Sequence, residues 1–426
     1  MSDSFRASLD YLYSLQLFGI KLGLENIRKL LERLDNPQRQ LRIIHIAGTN
    51  GKGSTAAALA NVFQVAGIRT GLYTSPHLHS FTERVRVATQ QIDEAEVVRL
   101  TDEIRPHAEE LRTTFFEFTT ALALLHFQRN GCQWAILETG MGGRLDATNA
   151  VEPELCLITP IAQDHGAYLG ETLAQVAAEK AGIFKPDVPV ISSRQQPEVW
   201  PVLQRRADEV GTDLLRAESD YDWTAAEETL SFRGFGCELN ALRPQLQGRH
   251  QQQNLALALA AVSWLRNAGV ALPEAAMRQG VEQTRWPGRL EWLPDDVLLD
   301  GAHNAAGAQV LADYLAEKKL RDLHLVVGLK ADKQAAELLA PLLPFVRRLY
   351  ATRPPVDEAV SPEFLVKLAT QADVSAAAYD DPKMALQAAR QQRQKGEILL
   401  VAGSLFLVAA LREMLLPETE LLSISS

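Results

Sequence analysis

The chain has 426 residues, more than one compact domain usually holds, and this length predicts two large domains or about three ordinary ones. Its 43 basic and 53 acidic residues give a formal net charge of −10. This argues against a nucleic-acid-binding surface, and an anionic ligand must be attracted by a local cluster of positive groups. Apolar residues make up 46% and charged residues 23%, which is typical of a globular protein and excludes a mainly disordered chain.

The N-terminus, the apolar stretches and the cysteines favour a cytoplasmic protein that does not span a membrane. Residues 1–16 carry acids and lack the apolar core of a signal peptide. The longest apolar stretch, 398–411, is interrupted by Gly403 and is too short to cross a bilayer. The three cysteines lie far apart and form no CxxC pair, so we expect neither a disulfide framework nor a structural zinc site.

Short apolar segments alternate with helix-forming segments in the first part of the chain. An Ala-rich segment at 51–67 follows a glycine loop and is predicted to be a helix. Buried strands separated by helices are typical of a mostly parallel sheet that is covered on both faces. Residues 213–245 differ, because their period-two pattern with central glycines predicts a β-hairpin at the edge of the first domain. The predicted strands are 41–47, 69–74, 133–138 and 154–159.

The sequence IIHIAGTNGKGSTAAALA at 43–60 predicts a phosphate-binding loop between a strand and a helix. Its glycines allow the backbone to curl with N–H groups pointing inward, and the helix N-terminus adds partial positive charge. Lys52 can reach phosphate oxygens, while Ser54 or Thr55 can offer a hydroxyl to Mg²⁺. Gly53 separates the lysine from the hydroxyl, unlike the standard motif, and a plain glycine turn is the alternative. The predicted ATP-binding residues of the loop are Thr49, Asn50, Gly51, Lys52, Gly53 and Ser54.

A second α/β series follows the proline-containing segment at 285–296. We place the domain boundary near Pro287, so that the domains are 1–287, with N-terminal helices, and 288–426. The predicted fold class is α/β, with a P-loop ATPase-like first domain built on a mostly parallel sheet and a smaller, Rossmann-like second domain. The strands of the second series are predicted at 297–302, 323–328, 347–352 and 397–403, and its helices near 304–317, 332–340, 361–370 and 382–393.

Seven motifs, spread over nearly the whole chain, occur in the order of one known family. They are GTNGKGS (48–54), YTSPHLHSFTERVRV (73–87), LETGMGGRLDATNA (137–150), AEKAGIFK (178–185), HQQQNLALA (250–258), WPGRLEW (286–292) and LDGAHN (299–304). With them the chain resembles the bifunctional dihydrofolate synthase/folylpolyglutamate synthases of the Mur ligase superfamily. The resemblance implies an ADP-forming amide ligase, in which ATP converts a carboxylate into an acyl phosphate and the amine of L-glutamate displaces phosphate.

The resemblance also implies the ligands. The expected substrates are small molecules of folate and one-carbon metabolism, namely 7,8-dihydropteroate, folates and L-glutamate. ATP and Mg²⁺, with two metal ions, are the expected cofactors. Residues 1–287 would then be the ATP-binding central domain and 288–426 the glutamate-ligase domain. We expect a monomer with neither a nucleic-acid nor a membrane partner.

Four residues match metal-binding positions of the family: Ser75, Glu138, His165 and Lys180. Glu138 ends an apolar strand and would face the crevice at the carboxyl edge of a parallel sheet, although a solvated strand-end acid is the alternative. His165 on its own would be an ordinary loop histidine, because imidazole is not a favoured Mg²⁺ ligand. The family places a carbamylated lysine at the position of Lys180, where added CO₂ creates an anion that can hold a second Mg²⁺.

The resemblance assigns nucleotide contacts to residues of both domains. Asn254 matches an adenine-contacting segment, and Asp300 matches a nucleotide-contacting acid. Arg289 could bind phosphate with its guanidinium fork at the junction, or could form only an interdomain salt bridge. His303 is expected to help place the incoming glutamate or the acyl phosphate. The expected catalytic residues are Lys52, Lys180 and His303.

Three short segments match dihydropteroate-binding positions of the family. The aromatic rings of Phe115 and Phe116 suit a flat heterocycle, but they could equally belong to a helix core. Ser404 is a further candidate, or it could serve only as a helix N-cap. The candidate substrate-binding residues are Leu22, Gly23, Leu24, Thr114, Phe115, Phe116, Glu117, Leu145, Asp146, Ala147 and Ser404.

Three other functions remain as alternatives. A monofunctional folylpolyglutamate synthase would share most of these motifs. A peptidoglycan-precursor ligase of the same superfamily would need an additional UDP-binding domain, whereas only the residues up to 47 precede the phosphate loop. A regulatory NTPase would not require WPGR, DGAHN or a second α/β domain.

Overall fold

The computed structural model describes residues 2–18, 23–164, 166–226, 228–331 and 334–417. The first series of helices and strands extends to residue 282. They are α1 (Asp3–Ser14), α2 (Glu25–Arg33), β1 (Arg42–Ala47), α3 (Lys52–Val65), β2 (Thr70–Tyr73), β3 (Val85–Val87), β4 (Gln90–Gln91), α4 (Glu94–Leu111), α5 (Phe115–Arg129), β5 (Trp134–Glu138), β6 (Leu155–Ile158), α6 (Gly166–Leu169), α7 (Leu173–Ala181), β7 (Val190–Ser192), α8 (Trp200–Val210), β8 (Leu214–Arg216), β9 (Tyr221–Ala226), β10 (Thr229–Gly234), β11 (Cys237–Leu242), α9 (Arg249–Asn267) and α10 (Glu274–Glu282).

A second series follows from residue 291 onward. It comprises β12 (Glu291–Leu293), β13 (Val297–Leu299), α11 (Ala305–Glu317), β14 (Leu323–Val327), α12 (Ala335–Leu339), β15 (Val346–Ala351), α13 (Pro362–Gln371), β16 (Ser375–Ala378), α14 (Pro382–Gln392), β17 (Leu399–Ala402) and α15 (Leu405–Leu415). Within the described ranges, no helix combines the length and the apolar character that a membrane span requires.

The first sheet has the strand order β4-β3-β2-β5-β1-β6-β7-β8. From β2 to β8 all neighbours are parallel, which confirms the predicted parallel sheet. The β3–β4 hairpin adds an antiparallel edge that the sequence patterns did not predict. Successive β1 residues enter opposite hydrophobic clusters, Ile44 and Ile46 on one face and Ile43 on the other, because side chains alternate along a strand.

Helices cover both faces of this sheet. The cluster that contains Ile44 also contains apolar residues of α3, α9 and α10. The opposite cluster contains residues of α1, α2, α4 and α5. The predicted hairpin is present as β10 and β11, but with β9 it forms a separate three-stranded sheet.

The second sheet has the strand order β12-β13-β17-β14-β15-β16 and is parallel except at β12. Its four central strands confirm the predicted second α/β unit. The short edge strands Glu291–Leu293 and Ser375–Ala378 were not predicted, since three or four residues without an apolar run give little pattern. The loops that follow β1, β2, β5, β6 and β13 leave the carboxyl ends of parallel strands, where α/β proteins place their ligands.

Candidate active site

A cavity of about 520 Å³ lies where loops of the first sheet meet loops of the second. It brings together predicted residues that lie up to about 250 positions apart in sequence. Those that line it are Thr49, Asn50, Gly51, Lys52, Gly53, Ser54, Ser75, Glu138, Lys180, Asn254, Arg289, Asp300 and His303. Leu22 and His165, which were also predicted, lie outside the described residues.

The phosphate loop follows β1 and ends in the first turn of α3. Gly48 and Gly51 have φ angles of +148° and +89°, a backbone region that favours glycine. A Cβ atom at Gly48 would lie 1.9 Å from Oγ1 of Thr159, and one at Gly51 would lie 2.2 Å from Oδ1 of Asn254. Both glycines are therefore required by close packing as well as by backbone conformation.

Two lysines converge on one carbonyl of this loop. Lys52 Nζ donates to the carbonyl oxygens of Gly48 and Thr49 at 3.2 Å each, and Lys180 Nζ donates to Gly48 O at 2.8 Å. Lys180 extends from α7 and is 4% exposed. Burial, and secondly the charge of Lys52, lower the pKa of Lys180 from 10.5 to about 7. A neutral amine is therefore accessible at this position near neutral pH.

Glu138, at the end of β5, faces the same part of the cavity and is 5% exposed. Its Oε2 accepts a hydrogen bond from the backbone N–H of Ser75 at 3.1 Å, and its Oε1 lies 4.0 Å from Lys52 Nζ. Burial raises the pKa of the Glu138 carboxyl, and the positive charge of Lys52 opposes this effect. The strand-end acid is thus a buried group of the cavity and not a solvated one.

The oxygen groups here suit a hard cation. Mg²⁺ commonly takes one or two carboxylates, phosphate oxygens and several waters, and does not need a cage made only of protein. Glu138 with the hydroxyls of Ser54 and Ser75 offers such a partial set. An unmodified Lys180 does not suit a cation, because its amine would be protonated or would offer only nitrogen. In the described part of the chain, no group of three or more His, Cys, Asp or Glu side chains could hold a metal ion.

On the second-sheet side, Asp300 organises the backbone around Arg289. The Asp300 carboxylate is 7% exposed and accepts hydrogen bonds from Leu290 N at 2.9 Å and from Ala302 N at 2.8 Å. Burial raises the pKa of this carboxyl, while Arg289 lowers it. A Cβ atom at Gly301 would lie 2.7 Å from Nη1 of Arg289, so the guanidinium packs directly on this glycine.

His303 follows the same loop and faces the first unit. Its Nδ1 lies 2.9 Å from Gly301 O, and because a carbonyl can only accept, this nitrogen carries the proton. The other ring nitrogen, Nε2, lies 3.5 Å from Oδ2 of Asp164. His303 therefore turns its Nε2 towards an acid of the first unit.

Two residues that the sequence patterns did not single out join the two sides. Asn304 Nδ2 donates to Asn50 Oδ1 at 3.1 Å and to Asp164 Oδ2 at 2.9 Å, while Asn50 Nδ2 donates back to Asn304 Oδ1 at 3.3 Å. Asn304 Oδ1 also accepts from Gly307 N and caps α11. The available signal was position, since Asp164 and Asn304 follow the ends of two parallel strands.

The candidate acceptor-binding residues Thr114 and Glu117 lie outside the lining of this cavity. They form the capping box of α5, with Thr114 N donating to Glu117 Oε2 at 2.7 Å. Phe115 is buried and stacks on Tyr13 with 5.7 Å between ring centroids. Phe116 lies behind Gly140, where a Cβ atom would be 2.5 Å from its Cζ. Because Gly140 lines the cavity, Phe116 is one layer behind the wall.

The remaining candidates among the described residues do not line the cavity either. Asp146 accepts a hydrogen bond from the backbone N–H of Met141, a cavity residue, at 2.9 Å. Ser404 is the N-cap residue of α15, although its side chain makes no capping hydrogen bond. The candidates that the cavity lining does not include are Gly23, Leu24, Thr114, Phe115, Phe116, Glu117, Leu145, Asp146, Ala147 and Ser404.

Comparisons with known proteins agree with this architecture. The Mur ligase middle domain matches residues 46–262, and the Mur ligase glutamate ligase domain matches residues 288–405. The chain is 32% identical over 431 residues to the dihydrofolate synthase/folylpolyglutamate synthase of Bacillus subtilis, covering 97% of this chain and 100% of that protein.

Solved structures show the same relationship. E. coli FolC in complex with DHPP and ADP superposes with a TM-score of 0.88 at 31% identity, covering 96% of this chain and 97% of that one. The bifunctional folylpolyglutamate synthase/dihydrofolate synthase of Yersinia pestis complexed with AMPPNP and Mn ion gives a TM-score of 0.87 at 31% identity, covering 97% and 99%.

Proposed function

Because the chain belongs to the dihydrofolate synthase/folylpolyglutamate synthase family of Mur ligases, it is an ATP-dependent, ADP-forming glutamate ligase. We propose that it joins L-glutamate both to 7,8-dihydropteroate and to folylpoly-γ-glutamates. Residues 1–287 would bind ATP, and residues 288–426 would form the glutamate-ligase domain. The observation that carries this proposal is the single cavity in which Lys52 and Glu138 of the first sheet meet Arg289 and His303 beside the second.

The first chemical step forms an acyl phosphate. An oxygen of the acceptor carboxylate attacks the γ-phosphorus of ATP, and the bond to the β-phosphate oxygen breaks to release ADP. This reaction needs alignment and charge neutralisation more than covalent help from the protein. Lys52, on the loop, and Arg289, opposite it, supply positive charge, and we assign Asn254 and Asp300 to the nucleotide.

The second step forms the amide. The amine of glutamate attacks the acyl carbon, phosphate leaves, and the nitrogen loses a proton. His303 is oriented by Gly301 O and turns its Nε2 to the space between the two sides, which suits it to hold the incoming amine beside the acyl phosphate. Exclusion of water from the cavity during the reaction would keep the acyl phosphate from being hydrolysed first.

The cofactors that we propose are ATP and Mg²⁺. Glu138 and Ser75 would hold one ion, whose chemistry when bound is neutralisation of phosphate charge. A carbamylated Lys180 would offer carboxylate-like oxygens for a second ion. The burial of Lys180 and its lowered pKa favour this reaction, since only a neutral amine adds CO₂.

The use of dihydropteroate follows from the requirements of that acceptor. It carries no glutamate, so the enzyme must bind it through its rings, and apolar walls with few directed polar groups suit this task. The layer formed by Phe116, Gly140 and Met141, held by Asp146, provides such a wall. A monofunctional folylpolyglutamate synthase is the alternative.

The test is incorporation of labelled glutamate with ATP and Mg²⁺, with ADP release measured in parallel. The acceptor is 7,8-dihydropteroate, tetrahydrofolate or a UDP-muramyl substrate, each as the sole acceptor. We expect product with the first two and none with the third, and no ADP release without an acceptor. Activity with tetrahydrofolate alone would leave a plain polyglutamate synthase, and activity with the UDP substrate alone would contradict the proposal.

A further inference from the structure

Arg86 is a charged residue of the cavity to which the proposed steps assign no role. It lies in the middle of β3, between two buried valines of the core, and pairs across the sheet with Leu72. Because strand side chains alternate, Val85 and Val87 enter one hydrophobic cluster while Arg86 points to the opposite face, on which α3 and the cavity lie. The backbone thus fixes the direction of this guanidinium.

The half-buried Arg86 makes no salt bridge with any acid in the part of the chain that the structure describes. Its Nε donates to the backbone oxygen of Glu83 at 3.2 Å, and its guanidinium carbon lies 5.5 Å from the ring centre of Trp286. Across the described ranges of the chain, no carboxylate forms an ion pair with Arg86, and no hydrogen-bond partner is found for its two terminal amino groups. Burying a guanidinium in this way is costly unless an anion compensates it.

The nearest acid, Glu83, is already engaged elsewhere. Its carboxylate accepts hydrogen bonds from the backbone N–H groups of Leu78, His79 and Ser80 at 2.8, 2.8 and 2.9 Å. Glu83 therefore stabilises the loop that leads into β3, and its negative charge acts on Arg86 without an ion pair between the two side chains. Arg412, another arginine of the cavity, differs from Arg86 because it has a carboxylate partner. Its Nε donates to both carboxylate oxygens of Glu291, at 3.0 and 2.9 Å.

Trp286 places this arginine next to the reaction centre. A Cβ atom at Gly53 of the phosphate loop would lie 3.0 Å from Nε1 of Trp286, so the indole packs on the loop. Arg86 contacts the same ring. The planar fork of an arginine matches a carboxylate with two parallel hydrogen bonds, which a lysine cannot reproduce.

We propose that Arg86 binds the carboxylate of a glutamyl group. This rests on the proposed function, in which the anions of the cavity are the phosphates of ATP and the carboxylates of glutamate and its conjugates. Lys52 and Arg289 already serve the phosphates. The glutamyl carboxylate belongs either to the incoming L-glutamate or to the tail of a glutamylated acceptor, and the two sources can be separated because dihydropteroate has no tail.

The experiment compares Arg86→Met and Arg86→Lys with the wild type, using tetrahydrofolate and 7,8-dihydropteroate as acceptors. Loss of a hydrogen-bonded ion pair should raise the affected KM by about 10- to 100-fold in Arg86→Met, with a smaller rise in Arg86→Lys. A higher KM for tetrahydrofolate only identifies the acceptor tail, and a higher KM for glutamate with both acceptors identifies the incoming amino acid. Either result supports the proposal.

Other results would overturn it. A higher KM for ATP alone would assign Arg86 to phosphate, and a higher KM for both acceptors with no change for glutamate would assign it to the rings. Unchanged KM values in a folded variant would show that the residue has only a structural role. Arg69→Met is the matched control, because it removes an exposed arginine outside the cavity. If the wild type does not use dihydropteroate, bifunctionality fails, but the KM for tetrahydrofolate and that for glutamate still test Arg86.

Discussion

The phosphate loop at 48–54 is one continuous segment, whereas Arg289, on the other side of the cavity, depends on residues that are distant in the sequence. Three glycines and the start of α3 determine the shape of the loop. The turn that carries Arg289 has positive φ angles at Gly288 and Leu290, +70° and +45°. Such a turn needs hydrogen bonds from residues outside it, since a positive φ angle is unfavourable for a residue with a bulky side chain such as Leu290.

Two carboxylates provide that support, that of the buried Asp300 and that of the half-buried Glu291. Asp300 binds the N–H of Leu290, and Glu291 binds the N–H of Gly288 at 2.8 Å. Glu291 is in turn held by Arg412, which is 1% exposed and lies 121 residues later in the sequence. The comparison shows why the first side is recognisable from the chemistry of one short segment, whereas the second was recognised only by its resemblance to motifs of a known family. It also predicts which substitutions remove a group that would contact ATP and which ones act by disturbing the neighbours that hold such a group in place.

The largest effect is expected for Lys52→Ala. Loss of the loop ammonium removes charge stabilisation at the transferring phosphoryl group, and the rate should fall by at least about 10³-fold while the fold is retained. Steady-state ADP release at saturating ATP measures this, with circular dichroism as a check on folding. Lys318→Ala, which removes an ammonium group outside the cavity, is the control and should keep normal activity. A folded Lys52→Ala enzyme with near wild-type turnover would remove this lysine from the reaction.

Lys180, the second lysine that donates to Gly48 O, should respond differently to substitution. Lys180→Ala is expected to lower activity by about 100-fold, as for residues that support a metal site, and a short carboxylic acid in the assay should partly restore it. Labelled bicarbonate and carbon NMR should detect a carbamate on the wild type. Lys185→Ala, in the same segment but outside the cavity, is the control. An unmodified Lys180 in fully active enzyme would contradict carbamylation.

Much of the fold could be predicted from the sequence because it depends on local patterns. Buried apolar runs such as 41–47 and 133–138 became strands, and glycines with a lysine before an Ala-rich segment predicted the loop. Strand β16 was missed, because Ser-Ala-Ala-Ala has neither branched side chains nor alternation. Its position as an edge strand is determined by pairing with β15.

The site was predicted unevenly for a related reason. Arg289 and Asp300 were found through resemblance to a family, not through any local pattern. Asp164 and Asn304 were missed, since their hydrogen bond joins residues 140 positions apart and depends on how the two units pack. Phe115 could not be assigned from the sequence for a different reason. Aromatic residues on a helix suit both ligand binding and core packing, and in the structure this ring stacks on Tyr13.

An intermediate effect is expected for the contact that joins the two sides. Asn304→Asp keeps an oxygen to cap α11 but loses the amide that donates to Asn50 and Asp164, so kcat/KM for ATP should fall by about 10-fold. Asn50→Ala should cost a similar factor, and the double variant should lose less than the product of the two, with a coupling energy of about 1 kcal/mol. Asn240→Ala, at an exposed position of β11, is the control. Strictly multiplicative losses would mean that the two amides act independently.

The smallest effect is expected for Ser404→Ala. Ser404 occupies the N-cap position of α15, next to the cavity residue Leu405, but its side chain makes no capping hydrogen bond. Replacing it should change kcat and each KM by less than about 2-fold and the free energy of unfolding by less than about 0.5 kcal/mol.

Ser361→Ala provides the contrast, because Ser361 caps α13 through Phe364 N at 3.2 Å and its loss should cost about 1 kcal/mol. Urea titration measures both variants, and steady-state kinetics with each substrate varied in turn separates binding from folding. An increase of the acceptor KM in Ser404→Ala, without loss of stability, would show that the hydroxyl contacts substrate and that the second side of the cavity extends to the start of α15.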